Sequence, residues 1–195
     1  MPGLQQKIFV RTLASGAAGA VAYWVMIQLL PADAAVVFAM TAMVLTTGAM
    51  GERALGRVVE MFAERESKEI GTIVIVLALL LRFALLRYLP PSDCWRAMVV
   101  GGVGAGWMMI GLRQLTGGEG KLTQERFAMA TGTAAGVTFL LGIWGAIGVC
   151  GLSGCVVFVI WRMANRRGRR VADELLYGMA VIGELAIYLG AVLFV

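Results

Sequence analysis

The sequence predicts an all-α integral membrane protein, a polytopic bundle of about seven transmembrane helices. Two observations of composition and one of charge placement carry this prediction. Of the 195 residues, 59% are hydrophobic and only 15% are charged, and the mean hydropathy is +0.82. Soluble domains are about 45–50% apolar and about 25% charged, so the composition excludes that class. The basic residues, moreover, are concentrated at the amino terminus and in every second loop between the apolar runs.

Apolar runs of about 17–25 residues are long enough to cross a bilayer, and they place the spans. All of them belong to one predicted membrane domain, residues 1–195. The uncharged run 127–161 has 35 residues, which is too long for one ordinary span. We therefore divide it into two helices, with their connection expected in the glycine-rich stretch that ends at Gly154. The predicted spans are 12–30, 34–50, 70–89, 97–112, 127–145, 147–163 and 171–195.

Prolines and charges mark the ends of these runs. Pro31 ends the first span and Pro90-Pro91 end the third, because proline cannot continue the helical hydrogen-bond pattern. The charged stretch 51–69 separates the second span from the third, and the polar stretch 113–126 follows the fourth. The basic stretch 162–170 precedes the last span.

The distribution of basic residues predicts the orientation. Fourteen of the 17 Lys and Arg side chains fall at the amino terminus or in the second, fourth and sixth loops, against two on the other side. Basic residues collect in cytoplasmic loops of membrane proteins. We therefore expect the amino terminus in the cytoplasm, the carboxyl terminus outside, and a location in the bacterial inner membrane. The same rule explains the net charge of +5 without a nucleic-acid partner.

Two ionisable residues lie deep in predicted spans. Arg82 is roughly 18 Å from the start of its helix and Glu184 roughly 20 Å from the start of its own, at 1.5 Å per residue. A lone charge at such depth is costly, so a partner is expected. We predict an Arg82–Glu184 ion pair. The alternative is that Arg82 extends to the interface and Glu184 is protonated.

The loop after the second span contains a helical pattern. Leu55, Val58, Val59 and Phe62 recur at the spacing of one helix face, which is typical of an amphipathic helix on the membrane surface. A solvated connector is the alternative.

The chain has no histidine and only three cysteines, which removes the usual haem, zinc and copper ligands. The stretch Gly117–Lys121 lacks the first glycine and the Ser/Thr of a phosphate-binding loop.

Three segments resemble the motifs of one membrane enzyme family. The first reads Thr47-Gly48-Ala49-Met50-Gly51-Glu52-Arg53-Ala54-Leu55-Gly56-Arg57-Val58-Val59-Glu60. The second reads Ile70-Gly71-Thr72 before a leucine-rich span, and the third runs from Glu174 to Gly183-Glu184-Leu185. In order along the chain, they resemble the signature T-G-G/A-x-H-x-D-G-L-A-D-x-x-D-G, D-S-R-I-G-T and G-D-x-L-G-A…G-E-L. These are motifs of cobalamin synthase, adenosylcobinamide-GDP ribazoletransferase.

The resemblance implies a helical membrane enzyme that binds Mg²⁺ through acidic residues. Carried over to this chain, it implies Glu60 and Glu184 as catalytic residues and Glu60 and Glu174 as metal ligands. Arg53, Arg57 and Lys121 would then hold phosphate groups. This sequence departs from the motif, since the histidine is Gly51 and two of the three aspartates are Arg53 and Arg57. Phosphoryl chemistry depends on a metal that neutralises developing charge, and two guanidiniums in place of two carboxylates oppose it.

We therefore interpret the chain as a catalytically degenerate, cobalamin-synthase-like protein. It is expected to act without a cofactor as an accessory or structural subunit of a membrane complex. Its expected partners are membrane lipids and either other membrane subunits or further copies of itself. The alternative is an active transferase that uses Mg²⁺ to join α-ribazole phosphate to adenosylcobinamide-GDP. A small transporter is a third interpretation, although no inverted repeat supports it.

Overall fold

The computed structural model describes residues 3–62, 68–116, 123–167 and 169–194. Within these ranges, side chains are described except at 3–8, 62, 68, 116, 126, 164–167 and 169–174. The described residues are almost entirely helical, as the sequence predicts. The eight helices are α1 (Gly3–Met26), α2 (Ala32–Thr47), α3 (Met50–Phe62), α4 (Lys68–Tyr88), α5 (Pro91–Thr116), α6 (Gln124–Thr138), α7 (Gly142–Arg167) and α8 (Arg169–Phe194).

Helix α5 lies at the centre of the bundle, between α1 on one side and α8 on the other. Glycines bring α1 and α5 into backbone contact, as small residues do between membrane helices. A Cβ atom added to Gly102 would lie 2.5 Å from the carbonyl oxygen of Thr12 and 2.8 Å from the Cα atom of Gly16. The two helices can therefore come this close only because Gly16 and Gly102 have no side chains.

Contacts between named positions on neighbouring helices show how these helices are oriented relative to one another. Gly16 lies beside Met98, and Gly106 lies beside Phe9, so α1 and α5 run antiparallel. At the rim of the bundle, the exposed Arg87 Nε lies 3.0 Å from Asp33 Oδ1. This pair places the end of α4 and the beginning of α2 at the same end of the bundle.

The chain turns sharply between α2 and α3, at the motif that begins with Thr47. Gly48 has a φ of 64° and Ala49 a φ of 56°, both in the left-handed region. The amides of Gly48 and Ala49 donate to carbonyls of the last turn of α2, a common way to end a helix. As a result α3 leaves α2 at an angle of 80°.

Helix α3 is the amphipathic segment of the sequence, but its apolar face contacts protein. Ala54, Leu55 and Val58 are buried, and the helix packs against α8 and α4. Gly178 of α8 accommodates the backbone of Leu55, since a Cβ there would lie 3.4 Å from the Leu55 Cα. The segment is thus built into the bundle rather than lying as a separate element on a membrane surface.

The long uncharged run is divided at a different place from the predicted one. One turn of 3₁₀ helix, Phe139–Leu141, ends at Gly142, where φ is 79° and ψ is 172°. Only glycine adopts such a conformation without strain. Helix α7 then continues without a break past Gly151 and Gly154 to Arg167. The expected connection near these later glycines is therefore wrong, because glycines inside an apolar helix serve packing as readily as turns.

The described residues include four helical segments long and apolar enough to cross a membrane, or up to five if the bent α2–α3 pair counts as one span. The four segments are Glu69–Tyr88, Pro91–Leu115, Phe127–Met163 and Leu175–Phe194. Helix α2 has only 16 residues and does not qualify alone. The prediction of a helical membrane protein is confirmed, whereas the count of seven spans is not.

The outer faces of the bundle are those of a membrane protein. Only 28% of the most apolar stretch of α4 is buried within the protein. Large hydrophobic side chains on several helices point outward, among them Trp24, Leu45, Ile73, Leu77 and Trp144. Such extensive apolar exposure is rare on soluble monomers, and it provides a surface that lipid tails can cover.

Candidate functional site

The most polar part of the protein interior lies where α3, α4 and α8 meet. Arg82 of α4 is 2% exposed, Glu184 of α8 is 4% exposed and Glu52 of α3 is 5% exposed. Among the side chains that the structure describes, these are the only charged ones that are buried. We call them the Glu52–Arg82–Glu184 cluster. Each of its members comes from a different helix.

The guanidinium of Arg82 lies between the two carboxyl groups. Its Nη2 atom is 2.5 Å from Glu184 Oε2, and its Nη1 atom donates a hydrogen bond to Glu52 Oε1 at 3.3 Å. Arg82 Nη2 is thus the charged partner of Glu184 Oε2, and Nη1 is that of Glu52 Oε1. Arg82 Nε has no hydrogen-bond partner. The structure thus brings together the two residues of the predicted pair and adds Glu52 to them.

Aromatic and sulfur-containing side chains close the cluster on the side of α5. Tyr188, one turn beyond Glu184, is fully buried, and its hydroxyl lies 4.0 Å from Met43 Sδ. A Cβ atom on Gly101 of α5 would lie 2.6 Å from the Tyr188 ring. Beyond this ring, the buried Tyr23 and Cys94 side chains are hydrogen-bonded to each other. The cluster is therefore enclosed by protein.

The position of each charge follows from the local fold. The turn at Gly48 and Ala49 redirects the chain, so that Glu52, in the first turn of α3, faces the interior. Arg82 lies roughly 9 Å before the end of α4 at Tyr88, too deep for its side chain to reach the rim easily. Burying an arginine without partners is costly, and two carboxyl groups provide them.

Glu60, the other proposed catalytic acid, is not part of this cluster. It lies on α3 two turns beyond Glu52, roughly 12 Å along the helix axis. Its carboxylate is half-buried against Gly71 of α4, where an added Cβ atom would collide with it. The structure therefore does not bring Glu60 and Glu184 together around one reacting centre.

The remaining predicted site residues come from three different parts of the sequence. Arg53 and Arg57 are exposed on α3. Lys121 and the side chain of Glu174 lie outside the described residues. Over the described part of the chain, no three Cys, Asp or Glu side chains come close enough to hold a metal ion. Glu60 is the one implied Mg²⁺ ligand whose side chain the structure describes.

Sequence reasoning missed Glu52, which occupies a variable position in the motif. A signal for it exists, because Glu52 lies three residues before Leu55 and so continues the apolar stripe of α3. An acid on an otherwise apolar stripe needs a partner inside the bundle. The nearest available cation in the spans is Arg82.

A second feature is an apolar groove of about 560 Å³ between α2 and α4. Its lining is almost wholly aliphatic and aromatic, with Thr41 as its one hydroxyl. It opens on the face of α4 that is largely unburied. The lining residues are Val37, Met40, Thr41, Val44, Leu45, Val76, Leu79, Leu80 and Phe83.

Comparison with known proteins gives no match: no family model, no curated protein and no solved structure is significantly similar to this chain.

Proposed function

We propose that this chain is a non-catalytic, cobalamin-synthase-like membrane protein that acts as an accessory or structural subunit of a membrane complex. One observation carries the proposal. Glu184, an acid to which the resemblance gives a catalytic role, is held by Arg82 inside the bundle and is enclosed by protein. An acid in that position stabilises the arrangement of helices and does not face a substrate.

The charges around Glu60 support the same conclusion. Arg53 and Arg57 stand at two motif positions where the family has aspartates, so the local charge is reversed. A single carboxylate beside two guanidiniums is a poor ligand set for Mg²⁺, which prefers several oxygen ligands in octahedral geometry. Without the metal, no divalent cation neutralises the charge that develops on the departing GMP.

The outer surface of the bundle supports a role in packing against lipids and other membrane helices. The apolar face of α4 and the groove beside it are exposed, and no charge interrupts the groove lining. Partner subunits or a second copy of the chain would bury part of this face in the membrane. A protein of this kind needs no cofactor.

We further propose seven spans in the bacterial inner membrane, with the amino terminus in the cytoplasm. In this proposal the run 127–163 crosses the membrane twice, which the break at Gly142 supports, and the basic stretches 113–126 and 162–170 then lie on the same side. Reporter fusions at the two termini test this, since a cytoplasmic reporter is expected to work at residue 1 and an external one at residue 195. The opposite pattern, or both termini on one side, would reject the topology.

An active transferase is the second candidate, and one observation favours it. Arg53, Arg57 and Glu60 are spaced as neighbours on one face of α3, and both arginines are exposed. This face could bind the phosphate groups of a nucleotide-activated substrate through guanidinium contacts. Catalysis would then need a mechanism that replaces the missing acidic ligands.

The deciding experiment is a transferase assay on the detergent-purified protein. Adenosylcobinamide-GDP, α-ribazole phosphate and Mg²⁺ are supplied, and an active cobalamin synthase is assayed in parallel. We expect no turnover above the protein-free background, and we expect the chain to co-purify with fixed membrane subunits or as a defined oligomer. Turnover that requires Mg²⁺ and is lost in Glu60→Ala would overturn the proposal in favour of the second candidate.

A further inference from the structure

The Glu52–Arg82–Glu184 cluster contains two carboxyl groups and only one cation. All three residues are at most 5% exposed, and their charged partners are one another. With both glutamates ionised, the cluster would carry a net charge of −1 inside the membrane bundle. Uncompensated charge in such surroundings costs several kcal/mol, so a balancing positive charge is required.

The groups around the cluster do not supply that charge. Arg82 is the one buried cation among the described side chains, and it is already in contact with both carboxyl groups. The other titratable groups that face the cluster are Tyr188 of α8 and, behind it, Cys94 of α5. A phenol and a thiol carry no positive charge at any pH. Of the described side chains of α3, Glu52 contacts Arg82, whereas Arg53 and Arg57 are exposed.

The geometry shows where the missing charge fits. Glu184 Oε2 is buried and lies against Nη2 of the same guanidinium whose Nη1 contacts Glu52, so both carboxyl groups share one cation. Glu52 takes its hydrogen bond from Nη1 of the same guanidinium at 3.3 Å, which is long for a charged pair. Two acids that share one site commonly hold one proton between them, as they cannot both ionise without large cost.

We propose that the Glu52–Arg82–Glu184 cluster is a proton-binding site that holds one proton, shared by the two carboxyl groups, in the membrane interior. The proton makes the cluster neutral, with one guanidinium, one carboxylate and one carboxylic acid. Binding requires no metal and no redox partner, since the proton comes from water. The site does not depend on whether the protein has transferase activity.

Infrared difference spectroscopy of the protein in lipid nanodiscs tests this directly. A protonated carboxyl group in an apolar interior gives a carbonyl band that is separate from the amide bands and shifts in D₂O. Near neutral pH the wild-type protein is expected to show one such group per chain. Glu52→Gln and Glu184→Gln are each expected to abolish the band, because either change leaves one carboxylate for one guanidinium. Arg82→Leu is expected to double it, since two carboxyl groups then remain without a cation.

Glu125→Gln is the matched control, because Glu125 is exposed at the start of α6 and the same chemical change there should leave the band intact. Each variant is first checked for a monodisperse elution profile, and loss of the band in either folded glutamine variant supports the site. A wild-type protein without a protonated carboxyl band would overturn the proposal. A band that survives unchanged in the folded glutamine variants would also overturn it.

Discussion

Replacement of Arg82 by leucine is expected to lower the free energy of unfolding by about 3–5 kcal/mol, the range seen when one partner of a buried ion pair is removed. Arg82 contacts both Glu184 and Glu52, which come from two other helices. Without the guanidinium, both carboxyl groups remain in an apolar interior with no donor, and α3 loses its polar attachment to α4. The measurement is equilibrium unfolding in detergent micelles, followed by far-UV circular dichroism.

Arg87→Leu is the matched control for this change. Arg87 lies on the same helix and also pairs with an acid, but its side chain is 59% exposed and that of Asp33 is 52% exposed. An exposed ion pair contributes about 0–1 kcal/mol, so this variant should unfold almost as the wild type does. If the two substitutions lowered the free energy of unfolding by the same amount, burial of Arg82 would not add to the stability of the protein.

Replacement of Gly102 by alanine has the second large expected effect. The added methyl group would overlap the backbone of α1 at Thr12 and Gly16, and neither backbone can move aside as a side chain could. Overpacking of this kind typically costs about 1–3 kcal/mol. We expect the same unfolding measurement to show a loss in this range, or the variant to be recovered in lower yield.

Gly111→Ala provides the comparison within the same helix. A Cβ atom at Gly111 would meet nothing within 4 Å, so the substitution should leave stability unchanged or slightly higher, since alanine favours helix more than glycine does. If Gly102→Ala were as stable as Gly111→Ala, the close contact of α1 with α5 would be disproved.

The sequence predicts the parts of the fold that depend on local physics. Helix α4 begins within two residues of the predicted span and ends within one, because charges precede it and Pro90-Pro91 follow it. The depth of Arg82 and Glu184 could be estimated from the helical rise, which is why a pair between them could be proposed at all. These inferences need only the chain's own periodicity and the cost of an isolated charge.

The features that depended on tertiary structure could not be read in the same way. The 80° bend that turns Glu52 inward depends on positive φ at Gly48 and at Ala49, and alanine gives no sequence signal for that conformation. The sequence predicts the connection near Gly154 instead of at Gly142, because the glycines of this run look alike in sequence. Only Gly142 among them adopts a positive φ. Likewise, the separation of Glu60 from Glu184 follows from the direction of α3, which no local pattern determines.

The central claim is that the buried charges hold the bundle together, and a double-mutant cycle tests it most directly. Unfolding free energies are measured for the wild type, Arg82→Leu, Glu184→Leu and the double variant. Because the two side chains are in direct contact, we expect both single variants to be destabilised and the double variant to be more stable than their sum predicts, with a coupling of about 0.5–3 kcal/mol. Harmless single substitutions with strictly additive effects would contradict the claim.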